Sequence, residues 1–333
     1  AEWATANAGG SGFFRARYSP EMLKALSGSM FENLTPIERY GLVDDTWSSV
    51  MAGRTSATDF LDFARSFQPE TDLDVWTVLS GCLSGLDKLV EGEAKLQYKA
   101  AVRDLAQPAL DRLGWEPSDS NSSRDLELRG LFIRLLANVG DDDLALKNAG
   151  DLHDSYLVDA GSVEPNIAAA ATGIVASKGD SAQYEVFLDK HHNPSTPQEE
   201  RRYQSALSAF PCEAEIDRTM AMTLDGTIRT QDAPYLLAVC MRNKEQGFRA
   251  WEFVKSNWEQ INKDFPANSI VRMLSGVTAL SKPEQAADVI AFFDDHKVPQ
   301  GQLTLQQTLE KLRVNVALRE RESGRFSESL TGC

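Results

Sequence analysis

TIRTQDAPYLLAVCMRNKEQGFRAWEFVKSNWEQINKDF, residues 227–265, spells out a helical hairpin and sets the reading of the whole chain. Thr230 has the character of an N-cap, Asp232 puts negative charge in the first turn, and Pro234 falls where backbone donors still lack intrahelical partners. An apolar run over 235–241 follows and stops at Arg242-Asn243-Lys244. The second helix carries Phe248, Trp251, Val254, Trp258, Ile261 and Phe265 in steps of three or four, one face of a 3.6-residue period. Glu252, Lys255, Glu259 and Lys263 line the other face at i,i+3 and i,i+4, and Pro266 closes the unit. The hairpin is built to pack and holds no acid, base or nucleophile constellation.

The same grammar recurs on both sides. Thr35-Pro36-Ile37-Glu38 and Thr196-Pro197-Gln198-Glu199 are capping boxes with proline at the first helical position. Stripes such as Tyr40, Val43, Trp47 and Val50, or Val75, Leu79, Cys82 and Leu86, follow such starts. A long helix over 96–113 breaks at Gly114, and the polar loop 115–123 is read as lying within one helical array. Helix pairs return every 35 to 50 residues or roughly so, near the HEAT and armadillo range. The expected fold is all-α, an α-solenoid of HEAT/armadillo-like hairpins over 19–318, with a polar tail at 319–333 that frays. Ahead of it, Gly9-Gly10-Ser11-Gly12 reads as a turn. Phe13 to Tyr18 alternates like a strand, so residues 1–18 are expected to be a β-strand remnant.

Composition narrows the function. The 333 residues are 42% hydrophobic and 25% charged with net charge −15, ordinary for a globular chain and wrong for a nucleic-acid groove or an anionic membrane surface. No apolar run approaches the roughly 20 residues that span a bilayer, so a soluble chain is expected. It opens at Ala1-Glu2-Trp3 without an initiator methionine, which suggests a piece of something longer. Cys82, Cys212, Cys240 and Cys333 show no CxxC spacing; Cys82 and Cys240 fall in apolar helical patterns and read as buried thiols, Cys333 as exposed. His191-His192 precedes Asn193-Pro194 and reads as a solvated helix end, Asp141-Asp142-Asp143 as the acidic entry to a helix. His153 and His296 complete the histidines, and none belongs to HExxH.

Several stretches together resemble the C-terminal helical domain of the aminopeptidase N family of zinc metallopeptidases. NAGGSGFFRARY at 7–18 is similar to the family's N-x4-G-[FY]-[YF]-R-V-x-Y strand, with Ala16 in place of valine. LTPIER at 34–39 with Leu42, Asp44-Asp45 and Ala52-Gly53 resembles its first long hairpin, ETDLDVW at 70–76 its next helix start, and LGWEP at 113–117 a loop of bacterial members. IRTQD at 228–232, AWEF at 250–253 and Asn257-Trp258 are similar to its late hairpin. Asn166-Ile167 departs from the pattern where a basic residue after Pro165 is expected.

The resemblance runs from about Asn7 to Leu318 and implies a non-catalytic cap. The family's HExxH zinc site and its G-x-M-E-N loop lie upstream, and neither occurs here, so zinc belongs to the parent enzyme and this chain holds no cofactor. Implied partners are the catalytic and β-domains of the same polypeptide and a peptide substrate, with neither nucleic acid nor membrane, in a bacterial cytoplasm. Arg229, Gln231 and Asp232 are candidate peptide contacts, against a plainer reading in which Asp232 caps its helix and Arg229 pairs with it; Phe13, Phe14 and Tyr18 are candidate docking residues. The alternative is a free-standing helical-repeat scaffold that binds another protein.

Overall fold

A computed structural model describes residues 4–298 and 300–332. The expected exposure of Cys333 and the first three residues of the expected β-strand remnant lie outside the described residues. Among the described residues there are eighteen α-helices and no strands. The chain divides into two compact units, residues 1–171 with 318–333, and residues 172–317.

The first unit contains α1 (Pro20–Ser27), α2 (Met30–Asn33), α3 (Pro36–Met51), α4 (Ala57–Arg65), α5 (Leu73–Asp87), α6 (Gly92–Leu113), α7 (Ser123–Asn138), α8 (Asp143–Val158) and the start of α9 (Pro165–Lys178). Side-chain caps start these helices where the sequence placed polar residues. The Glu38 carboxylate accepts from Thr35 N (2.8 Å), Ser56 Oγ from Asp59 N (3.0 Å), and Asp142 Oδ1 from Ala145 N (2.8 Å). The apolar stripes meet in an aromatic core in which Trp76 crosses Phe132 edge-on at 4.7 Å. The unit also holds a buried ion pair: Arg39 Nε donates to Glu70 Oε2 at 2.6 Å and Nη2 to Oε1 at 2.9 Å.

Two expectations fail in this unit. Residues 13–18 form no strand. A strand needs a ladder, and the segment spends its groups on α3 instead: Ala16 N donates to Asp45 Oδ2 (3.1 Å) and Arg15 pairs with Asp44. The tail does not fray either, because α18 (Gln302–Thr331) continues through it. Phe326 is fully buried against Tyr98, Glu322 Oε2 accepts from Ala57 N (2.9 Å), and Arg321 Nη2 donates to Val50 O (2.8 Å). The polar residues of the tail find their partners in backbone groups at distant helix ends.

The second unit contains the end of α9, then α10 (Ser181–His192), α11 (Pro197–Leu207), α12 (Glu213–Ala221), α13 (Ala233–Cys240), α14 (Gly247–Ser256), α15 (Trp258–Asp264), α16 (Ala267–Met273), α17 (Pro283–Asp295) and α18 up to residue 317. A 3₁₀ turn, Leu274–Ala279, joins α16 to the loop before α17. The hairpin of 227–265 is present with most of its apolar residues buried; Phe248 and Val239 are half-buried and Tyr235 is exposed. Its details differ from the sequence reading. The first helix begins at Ala233 rather than after Thr230, with Asp232 at the N-cap making no side-chain cap bond. The second breaks at Asn257, whose backbone N–H and side-chain Nδ2 (2.8 Å) both donate to the Phe253 carbonyl. Lys255 reaches Asp288 on α17 (2.7 Å) rather than its own glutamates, and Trp251 Nε1 donates to the same carboxylate (2.6 Å).

His191 is a further correction. It is buried against α11 rather than solvated, with Nδ1 unpartnered, while His192 is exposed. Burial pushes the His191 pKa down from 6.5, so the folded state resists a proton that the unfolded chain accepts.

Phe326→Ala and Trp251→Ala should each lower stability by about 3–5 kcal/mol, as truncation of buried aromatics does. Denaturant titration reads both, and a loss under about 1 kcal/mol at Phe326 would mean the tail is dispensable. His191 contributes fully above pH 6.5, and its contribution fades as pH falls from there through the depressed folded pKa. The midpoint of urea unfolding should therefore drop more steeply between pH 7 and 5 in the parent protein than in His191→Gln; equal slopes would remove His191 from the acid response.

Candidate functional site

The predicted contact residues sit in one turn but do not converge on one point. Arg229 O accepts from Asp232 N (2.8 Å) and Ala233 N (3.0 Å), which folds residues 229–232 tightly ahead of α13. The Arg229 guanidinium turns away from Asp232 and pairs with Glu200 on α11, Nη2 to the two carboxylate oxygens at 3.1 and 3.2 Å. The expected Arg229–Asp232 pair is therefore absent. Gln231 is exposed. A surface pair such as Arg229–Glu200 contributes little to stability, so Arg229 remains available to a competing carboxylate.

A better-formed site lies at the other end of α13. Arg242 follows that helix, and Ser275 and Thr278 come from the 3₁₀ turn. Thr304, Gln307 and Lys311 share a stripe of α18, and together they line a pocket of about 430 Å³. Arg242 Nη2 donates to Ser275 Oγ at 2.8 Å, which aims the guanidinium along the wall. Gly276 allows this arrangement: a Cβ there would stand 2.7 Å from Ala238 O, so only glycine lets the turn pack on α13. The wall holds two cations and several hydroxyls with no carboxylate, a locally positive surface in a chain of net charge −15. Sequence reading took Arg242-Asn243-Lys244 as a helix stop. The hint was the spacing of Thr304, Gln307, Thr308 and Lys311, polar positions on one helical face.

Cys240 is buried and its thiol is pushed up to about 12, and Cys82 is raised by burial as well, so neither supplies a thiolate near neutral pH. Cys212 is exposed. Among the described residues no three His, Cys, Asp or Glu side chains come together as a metal site, and no helix is long and apolar enough to cross a membrane.

Comparison with known proteins gives this geometry a family. Residues 3–314 match the ERAP1-like C-terminal domain. Aminopeptidase M1 of Arabidopsis thaliana is 28% identical over 328 residues, covering 94% of this chain and 36% of that protein. Aminopeptidase 2 of Candida albicans is 24% identical over 331 residues, 96% of this chain and 36% of its own length. Endoplasmic reticulum aminopeptidase 2 of Homo sapiens is 25% identical over 328 residues, 94% and 34%. The chain thus spans about a third of the length of the curated relatives it matches. These plant, yeast and mammalian relatives, two with an endoplasmic reticulum name, point to a eukaryotic origin and correct the expectation of a bacterial cytoplasmic protein. With a match over nearly its whole length, the chain belongs to the ERAP1-like C-terminal domain family.

Proposed function

We propose that this chain is the C-terminal capping region of a zinc-dependent aminopeptidase, non-catalytic by itself, that encloses the peptide cavity and holds the end of the substrate remote from the scissile bond. The observation that carries the reading is the alignment of residues 3–314 with a domain that forms about a third of aminopeptidases. In this reading the hairpins of 19–318 stack as a HEAT-like solenoid and residues 1–18 lead in from an upstream β-domain. In the same reading the zinc belongs to other domains of the same polypeptide, as the family resemblance implies.

Two features of the chain support a passive but selective role. Phe13 is fully exposed and Phe14 more than half so, as docking residues are before their partner is in place. Tyr18 is half-buried with its hydroxyl near Ala6 N (3.2 Å), so its part is to hold the segment. The Arg242–Lys311 pocket suits a peptide's terminal carboxylate. A charge-assisted hydrogen bond to such a group is worth roughly 1.5–3 kcal/mol, about tenfold or more in affinity. Arg229, with Gln231 and Asp232 beside it, is a second, weaker contact for a peptide. The scaffold alternative has no observation that favours it.

The test uses the intact polypeptide and its catalytic part made without residues 1–333. The catalytic part should lose its preference among peptide lengths and regain part of it when this chain is added. In the intact protein Arg242→Gln should weaken the use of long peptides with a free carboxylate by about tenfold, with short or amidated peptides unaffected. If truncation leaves every peptide length unchanged and the chain never associates, the capping role is wrong.

A further inference from the structure

The first unit contains a cleft of about 630 Å³ that the capping role does not use, with every wall drawn from that unit. One wall is α1, which presents Pro20, Leu23, Lys24 and Ser27 at i, i+3, i+4 and i+7. The facing wall is α4 and its C-cap, with Asp59, Asp62, Phe63 and Ser66 at the same spacing. Arg17, Tyr18 and Arg54 complete the lining. The Tyr18 hydroxyl is engaged by Thr5 and Ala6, which leaves its ring as an apolar surface.

Charge is divided across this space. Lys24, Arg17 and Arg54 supply cations, and Asp59 and Asp62 supply carboxylates from the opposite helix. No ion pair spans the cleft among the described residues. Asp62 pairs with Arg65 of its own helix at 3.9 Å, and each cation lies more than 4.0 Å from the acids across from it. All five charged residues reach solvent; an anion alone would meet two carboxylates there and a cation three cations, while an apolar molecule would engage neither set. A ligand with one charge at each end and an apolar body matches both sets of charges and the apolar wall between them.

We propose that this cleft binds a short zwitterionic peptide of the dipeptide class bearing an apolar side chain. Its ammonium group sits against Asp59 and Asp62, its carboxylate against Lys24, Arg17 and Arg54, and its side chain on Phe63, Leu23 and the Tyr18 ring. The volume lies within the roughly 300–1,000 Å³ of small-ligand sites and leaves room for more than a single free amino acid. The site is independent of the Arg242 pocket, so it stands whether or not the capping role holds.

The test is calorimetric titration of the 333-residue chain with leucyl-phenylalanine, its N-acetyl form and its amide. The free dipeptide should bind saturably below about 1 mM, and each blocked form about tenfold or more weaker. The pairs Asp59→Asn with Asp62→Asn, and Lys24→Gln with Arg54→Gln, should each produce the same loss with an unchanged melting temperature, while Lys147→Gln, exposed on α8 and outside both pockets, leaves binding intact. The proposal is overturned by absence of saturable heat up to roughly 10 mM, by equal binding of the blocked peptides, or by loss of binding in Arg242→Gln alone.

Discussion

The first unit depends on one carboxylate. Glu70 is fully buried, and its Oε1 accepts from Arg39 Nη2, Thr71 N (2.8 Å) and Asp72 N (2.9 Å), while Oε2 accepts from Arg39 Nε. Arg39 passes the connection on to Leu34 O at 2.7 Å, and the Glu70 carbonyl accepts from the Trp76 indole (2.9 Å) and from Arg112 (3.2 Å). One residue thus fixes the loop before α3, the start of α5 and the end of α6. A buried charge is tolerable only when paired and hydrogen-bonded, and losing one partner leaves the other stranded in a low-dielectric interior. The pair acts as a registration point more than as net stabilisation, because assembling it first required dehydrating both ions.

The second unit is organised by apolar packing instead. Trp251 meets Phe292 at 5.2 Å and Phe293 at 5.7 Å, and Asp288 receives both its indole N–H and the Lys255 ammonium. Phe187 meets Tyr203 and Phe210 edge-on. Such contacts specify how neighbouring helices approach. That Arg242 and Lys311 line a pocket without an acid is informative within a chain so rich in carboxylates.

Whatever rests on local period was legible in the sequence. The stripe from Trp251 to Phe265 and the caps at Thr35 and Thr196 are encoded within a few residues of where they act. What escaped is encoded at a distance. Glu322 and Arg321 look like tail residues until their partners at Ala57 and Val50, 265 and 271 positions away, are in place. The Arg242 pocket draws on three separated segments, and Arg229 prefers Glu200, 29 residues back, to its neighbour Asp232. The break at Asn257 is local, but it leaves the apolar stripe from Trp251 to Phe265 unbroken, so periodicity does not register it. The N-terminal strand failed because alternation describes a residue pattern and pairing requires a second chain segment.

The docking of residues 318–331 into the first unit has a consequence for synthesis. Helices α1 to α8 are complete by residue 158, yet the groove that receives Phe326 and the helix start at Ala57 that Glu322 caps are filled only by the last turns of α18. At about 5–20 residues per second, a ribosome needs on the order of ten seconds to make the intervening second unit. During that interval the early helices carry an open apolar seat and an uncapped amide. The part of the chain made first is finished last, and the nascent protein depends during that time on whatever shields unfilled grooves in the cell.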